Sequence, residues 1–475
     1  MIQQRRNRRR LTCKTDARKG GHLPRPKSSR AAGAKRRRPR STGSASGEAG
    51  TRDPAKLATL PDEALLEIVQ RQTFRYFWEA AHPDSGLAFD RRTSGRRLDD
   101  AVDDPVAIGG SGFGVMALLV AAERGWITRD AALERLGRML DVLARARCYH
   151  GAYPHFMNGR TGETVPFGRK DDAADLVETS LLMMGLLCAR QYFDRDTPQE
   201  ASARSQISTL WDEVEWSWFT QGRDVLYWHW SPNNGWAMDH AIRGWNECLV
   251  TYVLAAASRR YAIDPSVYIQ GFASGPGFSN RKSWYGLDLP LGMDYGGPLF
   301  FAHYSFCGLD PKGLRDRHAD YWAQNVHHVH INRAHCVANP GKFVGYGESC
   351  WGLTASDDPQ GYSAHAPDND NGTISPTAAL ASLPYAAAEV MAVLRHFLKR
   401  HGKRLWRELG FVDAFCENQG WYADTFLAID QGPIIVMIEN HRTGLLWKLF
   451  MAAPEVRAGL RRLGFSSPHL KEAER

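Results

Sequence analysis

The stretch RKDDAADLVETSLLMMGLLCAR, residues Arg169–Arg190, decides the fold. Its second half, from Leu181 to Ala189, carries no charge. A helix apolar nearly all round belongs inside a protein rather than on its surface. Its first half carries four acids, Asp171, Asp172, Asp175 and Glu178. At about 100° per residue, Asp171, Asp175 and Glu178 fall within roughly 60° of arc on one helical face. Capping of free N–H groups and the helix dipole account for acids at a helix start, so Asp171 and Asp172 have an ordinary explanation. That explanation weakens at Asp175 and fails at Glu178, about two turns in. Neither has Lys or Arg at i+3 or i+4. A buried carboxylate without a partner is costly. The face is therefore wet, or partnered from elsewhere in the chain.

Outward from this stretch the text stays helical from about residue 60 to the end. PDEALLEIVQRQTFRYFWEAA opens on Pro61-Asp62 and keeps helical spacing. GFGVMALLVAAERGW follows a glycine-rich entry at Gly109–Gly114, and Thr128 is placed to cap RDAALERLGRMLDVLARA. QISTLWDEVEWSWFTQ, DHAIRGWNECLVTYVLAAASRRY, LRDRHADYWAQNVHHVHINRAHC and two C-terminal stretches complete about ten to twelve helices. GAYPHFMNGRTGETVPFG and VLYWHWSPNNGWAM alternate aromatic with small or polar residues around Asn-Gly signals and predict small hairpins. No 30–45-residue self-similarity argues for a solenoid. The fold class expected is all-α, an (α/α)6 toroid with small β-hairpins in the loops around a cleft; two helical bundles are the alternative.

The net charge of +8 misleads until it is divided. The first 50 residues hold 16 Lys and Arg against two acids, and the remaining 425 hold 44 bases against 50 acids. Nucleic-acid or anionic-lipid contact is thus suggested only for a basic, disordered tail, residues 1–55, ahead of a single globular body at 56–470. The arginines of the tail are not followed by the apolar stretch of a signal peptide. No run approaches the ~18–20 apolar residues of a membrane span. The eight cysteines include no C-x-x-C pair, so neither a disulfide framework nor a zinc site is indicated.

Other residues carry candidate chemistry. Glu247 is the one acid between Asp239 and Asp264, in GWNECLVTYVLAAA. An ion pair with Arg243 at i−4 would explain it structurally; a semi-buried carboxyl with a raised pKa would explain it functionally. Asp430 precedes Gly432-Pro433, which reads as a helix opening and leaves Asp430 in a loop. Glu439 has Arg442 at i+3 as a cheap partner. Tyr227, Trp228, Trp230, Trp236 and Trp245 crowd into 19 positions. Indole faces stack on the C–H faces of sugar rings while Asp, Asn and Arg take the hydroxyls, so carboxylates with Trp platforms describe a carbohydrate site. His327, His328, His330 and His335 match no zinc spacing and read as satisfied histidines on a helix. PDNDNG, 367–372, lacks the position-12 glutamate of a calcium loop and reads as a turn. GGSGFG lacks the preceding strand of a dinucleotide fingerprint.

Taken together, GGSGFGVMAL, DDAADLVETS, WNECLVTYVLAAAS, CWGLTASD with GYSAHAP and TISPTAALASLPY, and DQGPIIVMIENHRTG resemble the bacterial glycoamylase-like family, of the endo-β-1,2-glucanase type. The resemblance runs through most of residues 60–465 in the family's order. It implies an (α/α)6 barrel and an anomer-inverting hydrolase of β-1,2-linked glucose chains. It also implies export to the periplasm or medium, although no export signal is legible. The acidic positions it carries over are Asp171, Asp175, Glu178, Glu247 and Asp430.

The expectation is therefore glycoside hydrolysis by two carboxyl groups without metal or organic cofactor. Glu247 is assigned as general acid and Asp430 as base, with Asp175 the alternative base. Asp171, Glu178, Arg243, Trp228, Trp230, Trp236 and Trp245 are assigned to substrate. The partner is an oligo- or polysaccharide, and a monomer is expected. The rivals are a retaining transglycosylase, a hydrolase of another β-glucan, and a non-catalytic glycan-binding protein.

Overall fold

The helices fall into two kinds that the sequence distinguishes by where their apolar residues lie. Ile108–Glu123, Leu176–Tyr192, Leu249–Ala257 and Ala428–Arg442 are buried almost throughout. Arg129–Leu143, Pro198–Glu213 and Pro454–Arg462 bury one stripe only: Leu136, Met139, Leu140 and Leu143 in the first, Ala203, Ile207, Leu210 and Trp211 in the second. Arg129–Leu143 packs on Ile108–Glu123 and on Pro198–Glu213, and Pro454–Arg462 packs on Leu249–Ala257. The computed structural model describes residues 53–471. The segment read as a basic tail lies outside the described residues up to position 52, and with it the nucleic-acid and lipid readings. No helix of the described residues is long and apolar enough to cross a membrane.

The local signals translate into local structure. Thr128 caps Arg129–Leu143, its Oγ1 accepting from Ala131 N at 3.1 Å. Asp62–Trp78 begins directly after Pro61. Two hairpins form where alternation and Asn-Gly predicted them. Phe156–Met157 pairs antiparallel with Thr164–Val165, and Ser231 bridges Gly235. A longer hairpin, Ser279–Trp284 with Leu287–Leu291, occupies the Gly/Pro-rich middle that offered no strand signal, because its first strand is mostly exposed and polar. Three of the four histidines of Tyr321–Ala338 have a partner: His327 Nδ1 lies 2.6 Å from Asp288 O, His328 Nε2 2.9 Å from Gly297 O and His335 Nε2 3.0 Å from Asp370 Oδ2, while His328 Nδ1 is buried without one. Asp370 also accepts from Tyr346, which makes PDNDNG a structural turn. Glu439 is a correction: Arg124, not Arg442, pairs with it at 3.3 Å, while Arg442 turns to Glu63 and Glu67.

A close crossing joins Ile108–Glu123 to Leu176–Tyr192 through two glycines. A Cβ on Gly185 would sit 2.2 Å from the carbonyl oxygen of Gly112, and a Cβ on Gly112 would sit 2.3 Å from that of Leu181. Both obstacles are backbone, which cannot rotate aside. Gly185→Ala is expected to lower stability by at least about 1–3 kcal/mol, visible as a lower urea midpoint with little change in slope.

Candidate active site

The site begins where Leu176–Tyr192 starts. Asp175 is its N-cap, accepting from Val177 N at 3.0 Å and Glu178 N at 2.9 Å. Residues 174–175 are extended and pair with His229–Trp230. The one-face expectation is corrected accordingly: Asp171 lies in the loop before the helix, Asp175 at its cap, and only Glu178 inside its first turn. The three acids converge nonetheless, because the loop folds back and two histidines hold it. His155 Nδ1 is 3.0 Å from Asp175 Oδ2 and its Nε2 is 3.9 Å from Glu178 Oε1. His229 Nδ1 is 3.3 Å from Asp171 Oδ1. Glu178 Oε2 also accepts from Gly109 N at 2.6 Å. The glycine-rich GGSGFG thus offers a helix N-terminus to a carboxylate. The two-residue strand before it, Val106–Ala107, pairs antiparallel with Phe156–Met157, so no parallel βαβ unit exists there.

These contacts set the protonation of the group. Burial would depress His155, but the charges of Glu178 and Asp175 and the bond to Asp175 hold it up to about 10, a cation at neutral pH. Burial would raise Asp175, but the His155 bond and the His229 charge outweigh it and keep the carboxyl below its ordinary value. Glu178 is pushed up to about 7, mainly by burial and then by the Asp175 charge, against the opposing pull of His155. One ligand atom each from His155, Asp171 and Asp175 lie within 4.8 Å of one another. The spacing suits a small cation, and protonated His155 already supplies positive charge there.

Glu247 sits in the turn just before Leu249–Ala257, so the helical i−4 pairing with Arg243 does not form. Arg243 is exposed and belongs to no ion pair among the described residues. The Glu247 carbonyl accepts from Ser305 Oγ, which pins the turn. Its carboxyl is pushed up to about 7 by burial, with the charges of Asp175 and Glu178 adding to the effect.

Asp430 is a second correction. It lies in the first turn of Ala428–Arg442, not in a loop, and Pro433 falls inside the helix. The strand Thr425–Leu427 runs straight into this helix, and Ala428 N bonds Asp90 O at 2.9 Å, leaving no room for a separate loop. Asp430 is 4% exposed, and its Oδ1 accepts from Tyr304 OH at 3.4 Å. Burial pushes its carboxyl up to about 7; a hydrogen bond with Asp413 opposes this and the Asp357 charge adds to it. Asp413 is itself held well above the carboxylate range by burial and by Asp430. One oxygen of each, Asp413 Oδ1 and Asp430 Oδ2, is buried without another partner. A single proton shared between the two carboxyls satisfies both. Arg91 reaches Asp357 at 3.2 Å, and Asp357 N donates to Asp413 Oδ2 at 2.6 Å. Tyr304, whose hydroxyl reaches Asp430, is next in sequence to Ser305, whose hydroxyl reaches the Glu247 carbonyl, so one short segment touches both acid-bearing turns.

The tryptophans divide. Trp228 stacks on His240 at 4.9 Å, and His240 is 6.0 Å from His229, so Trp228 remains beside the acids. His229 reaches Asp171, whereas Trp230 turns away to other rings. Trp230 and Trp236 pack with Trp218, and Trp230 also with His150. Trp245 is a core residue, 2% exposed among Phe272, Phe278, Phe306 and Tyr321, and cannot be a platform. The exposed rings near the acids are others. Phe167, 42% exposed, lies 4.4 Å from the His155 ring. Tyr362, 51% exposed, pairs across a hairpin with Asp357, which bonds Arg91 and Asp413.

Asp90, Arg91, His155, His229, Tyr304, Asp357, Tyr362 and Asp413 were not singled out from the sequence. Asp413 was findable: it is a lone acid in FVDAF, the criterion that selects Glu247. The arrangement offers carboxyls near neutrality beside carboxylates fixed by histidines, the equipment of general acid–base chemistry on a hydroxyl-rich substrate.

Comparison with known proteins agrees. Residues 239–454 match the family model described as "Glycoamylase: Putative glucoamylase". An exo β-1,2-glucooligosaccharide sophorohydrolase (non-reducing end) of Parabacteroides distasonis is 45% identical over 426 residues, 85% of this chain. The chain spans 58% of the length of that curated relative. The structure of an endo-β-1,2-glucanase from Chitinophaga pinensis, in complex with sophorotriose and glucose, is 49% identical with a TM-score of 0.84, covering 87% of this chain and 100% of the other. A "putative glucoamylase" from Bacteroides uniformis is 55% identical with a TM-score of 0.84, again over 87% and 100% of the two chains. With this identity across the whole length of solved relatives, the chain belongs to the glycoamylase family.

Proposed function

We propose that this protein hydrolyses β-1,2-glucan by an inverting mechanism in which Glu247 is the general acid and Asp430 the base. The observation that carries this reading is the pair of contacts made by neighbouring residues: the backbone carbonyl of Glu247 accepts from Ser305 Oγ, and Tyr304 OH donates to Asp430 Oδ1, although Glu247 and Asp430 are 183 positions apart. Glu247 protonates the leaving glycosidic oxygen. Asp430, buried beside Asp413, takes the proton of the attacking water, directly or through a substrate hydroxyl. Asp175 is the alternative base, although its place at the helix cap and its bond to His155 suit it better to gripping hydroxyls with Asp171 and Glu178. Trp228, Phe167 and Tyr362 present ring faces to the sugars, and Arg243, exposed four residues before Glu247, is assigned to sugar hydroxyls. The β-1,2 linkage rests on the names of the sophorohydrolase and endo-glucanase relatives. The two kinds of helix, buried and one-sided, support an (α/α)6 toroid with the acids at one end of the inner ring.

Linear β-1,2-glucan is the test substrate, followed by reducing ends and product sizes. NMR of the first product is expected to show the α-anomer, the inverted configuration. A β-anomer formed first assigns the protein to a retaining mechanism, and no products at all reject the hydrolase reading. Inversion also places the two reacting carboxyls about 6.5–9.5 Å apart in a substrate complex, against about 5–5.5 Å for retention.

A further inference from the structure

Residues Ala355–Asp358 and Gly361–Ala364 form an antiparallel hairpin, which no third strand joins among the described residues. A two-stranded hairpin alone in water is marginal at best, so side-chain tethers set where this one sits. Asp357 and Asp358 supply them on opposite faces, as the alternation of a strand requires. Asp358 faces the loop that follows: it accepts from Asn371 Nδ2 at 3.3 Å and lies 3.4 Å from His365 Nε2. Asp357, which is buried, faces the strands that lead into the candidate site. Arg91 Nη1 donates to both of its carboxyl oxygens at 3.2 Å, and Thr425 Oγ1 donates to Oδ2 at 2.5 Å. Its backbone N donates to Asp413 Oδ2 at 2.6 Å.

All three partners border the segment that opens the Asp430 helix. Thr425 begins the strand Thr425–Leu427, which runs into Ala428–Arg442, and Arg91 pairs with Leu427 across from it. Asp413 N donates to Thr425 O at 2.9 Å. Asp357 therefore ties the hairpin to the start of that helix through two side chains and one backbone bond. Bonds to a charged carboxyl are the stronger kind, so the tether is stiff. Directly across the hairpin from Asp357 is Tyr362, and cross-strand partners project from the same face. The exposed Tyr362 ring thus stands on the tethered face, beside the link between Asp357 and Arg91.

We propose that Asp357 is a positioning residue for glucan cleavage: it holds the Tyr362 ring in fixed register with the start of the Asp430 helix, so that one sugar chain meets the ring and the base together. The proposal rests on the β-glucan reading for the ligand of that ring. Asp357 acts through Tyr362 and not on substrate, since both of its carboxyl oxygens are already occupied by Arg91 and Thr425. Loosening the tether shifts the sugar relative to the reacting carboxyl, and a displacement of about 1 Å costs on the order of 10²-fold in rate.

A double-mutant cycle with Tyr362→Ala tests it. Asp357→Asn keeps the size of the side chain and the backbone bond to Asp413 but gives up the charge that holds Arg91. Thr425→Val removes one donor to the same carboxyl and keeps a β-branched strand residue, so the cycle can be read even where Asp357→Asn lowers stability. Each is made in the full chain, with and without Tyr362→Ala. On linear β-1,2-glucan, Asp357→Asn is expected to lower kcat/KM by about 10–10²-fold and Thr425→Val several-fold, and neither to add more than a small further loss once Tyr362 is alanine. Losses that multiply in the double variants overturn the proposal, as does unchanged kcat/KM in both tether variants. Equilibrium binding of the same glucan to the set carrying Glu247→Gln reads the cycle without turnover. Non-additive binding losses, in a chain whose wild type releases no reducing ends, uphold the positioning role and reject the hydrolase reading alone. Multiplying binding losses, or no binding, overturn the positioning role.

Discussion

Glu247→Gln is expected to slow release of reducing ends from β-1,2-glucan, with kcat reduced by about 10²–10⁴-fold, the range for loss of a general acid. The amide keeps the size and most of the hydrogen bonding of the carboxyl but has no proton to give. Because burial holds Glu247 protonated up to about 7, wild-type activity is expected to fall as pH rises through that value. The same substitution is expected to stabilise the fold at alkaline pH. A glutamate that keeps its proton to about 7 in the native state, against 4.5 in the unfolded chain, favours folding at low pH. Between those values the unfolded chain ionises first, so stability declines as pH rises, and the decline is complete above 7. At about 1.4 kcal/mol per pH unit, the ionised carboxyl costs the native state on the order of 3 kcal/mol. Glutamine at 247 escapes that cost. Thermal unfolding of both proteins at pH 5 and pH 9 reads the effect: similar midpoints at the lower pH, a higher midpoint for the variant at the upper. A variant that loses activity and stability alike at both pH values would instead make Glu247 a structural residue.

The second large effect belongs to Asp430. Asp430→Asn is expected to reduce kcat by about 10²–10⁴-fold while product binding survives. A base must be ionised, so wild-type activity climbs as pH rises through about 7, where Asp430 loses its proton. Residual activity of the variant is expected to lack that acid-side limb. Together with the limb set by Glu247, this predicts a narrow bell centred near neutrality. If Asp430→Asn retains full turnover, the base is Asp175, and Asp175→Asn then carries the loss.

Much of this was legible from residue order alone. The helix-rich fold followed from apolar runs with caps, and the candidate acids were visible as carboxyls without cations in apolar text. What the sequence concealed was partnership at long range. His155 and His229 sit in hairpins that alternation predicted, but nothing local says that both turn toward Asp175. The geometry of the acids also differed from the helical projection, since the chain at Asp171–Asp175 is loop and strand, and its convergence depends on pairing with residues 229–230. Asp430 was misplaced because Gly432-Pro433 imitates a helix start inside a helix that begins at Ala428. Trp245 shows the limit of composition: five aromatic residues close in sequence were taken as one cluster, whereas one fills the core and two face away from the acids.

The interlocked glycines of the two central helices bear on how such an enzyme can diversify. Gly109 and Glu178, which meet in the cleft, are carried on backbones that touch at Gly112 and Gly185. Neither scaffold segment can shift without the other, so the spacing of these catalytic-end groups is inherited as a single unit. New substrate preferences in descendants would therefore arise by remodelling the hairpins that carry Phe167, Trp228 and Tyr362, while the frame beneath them stays refractory to change.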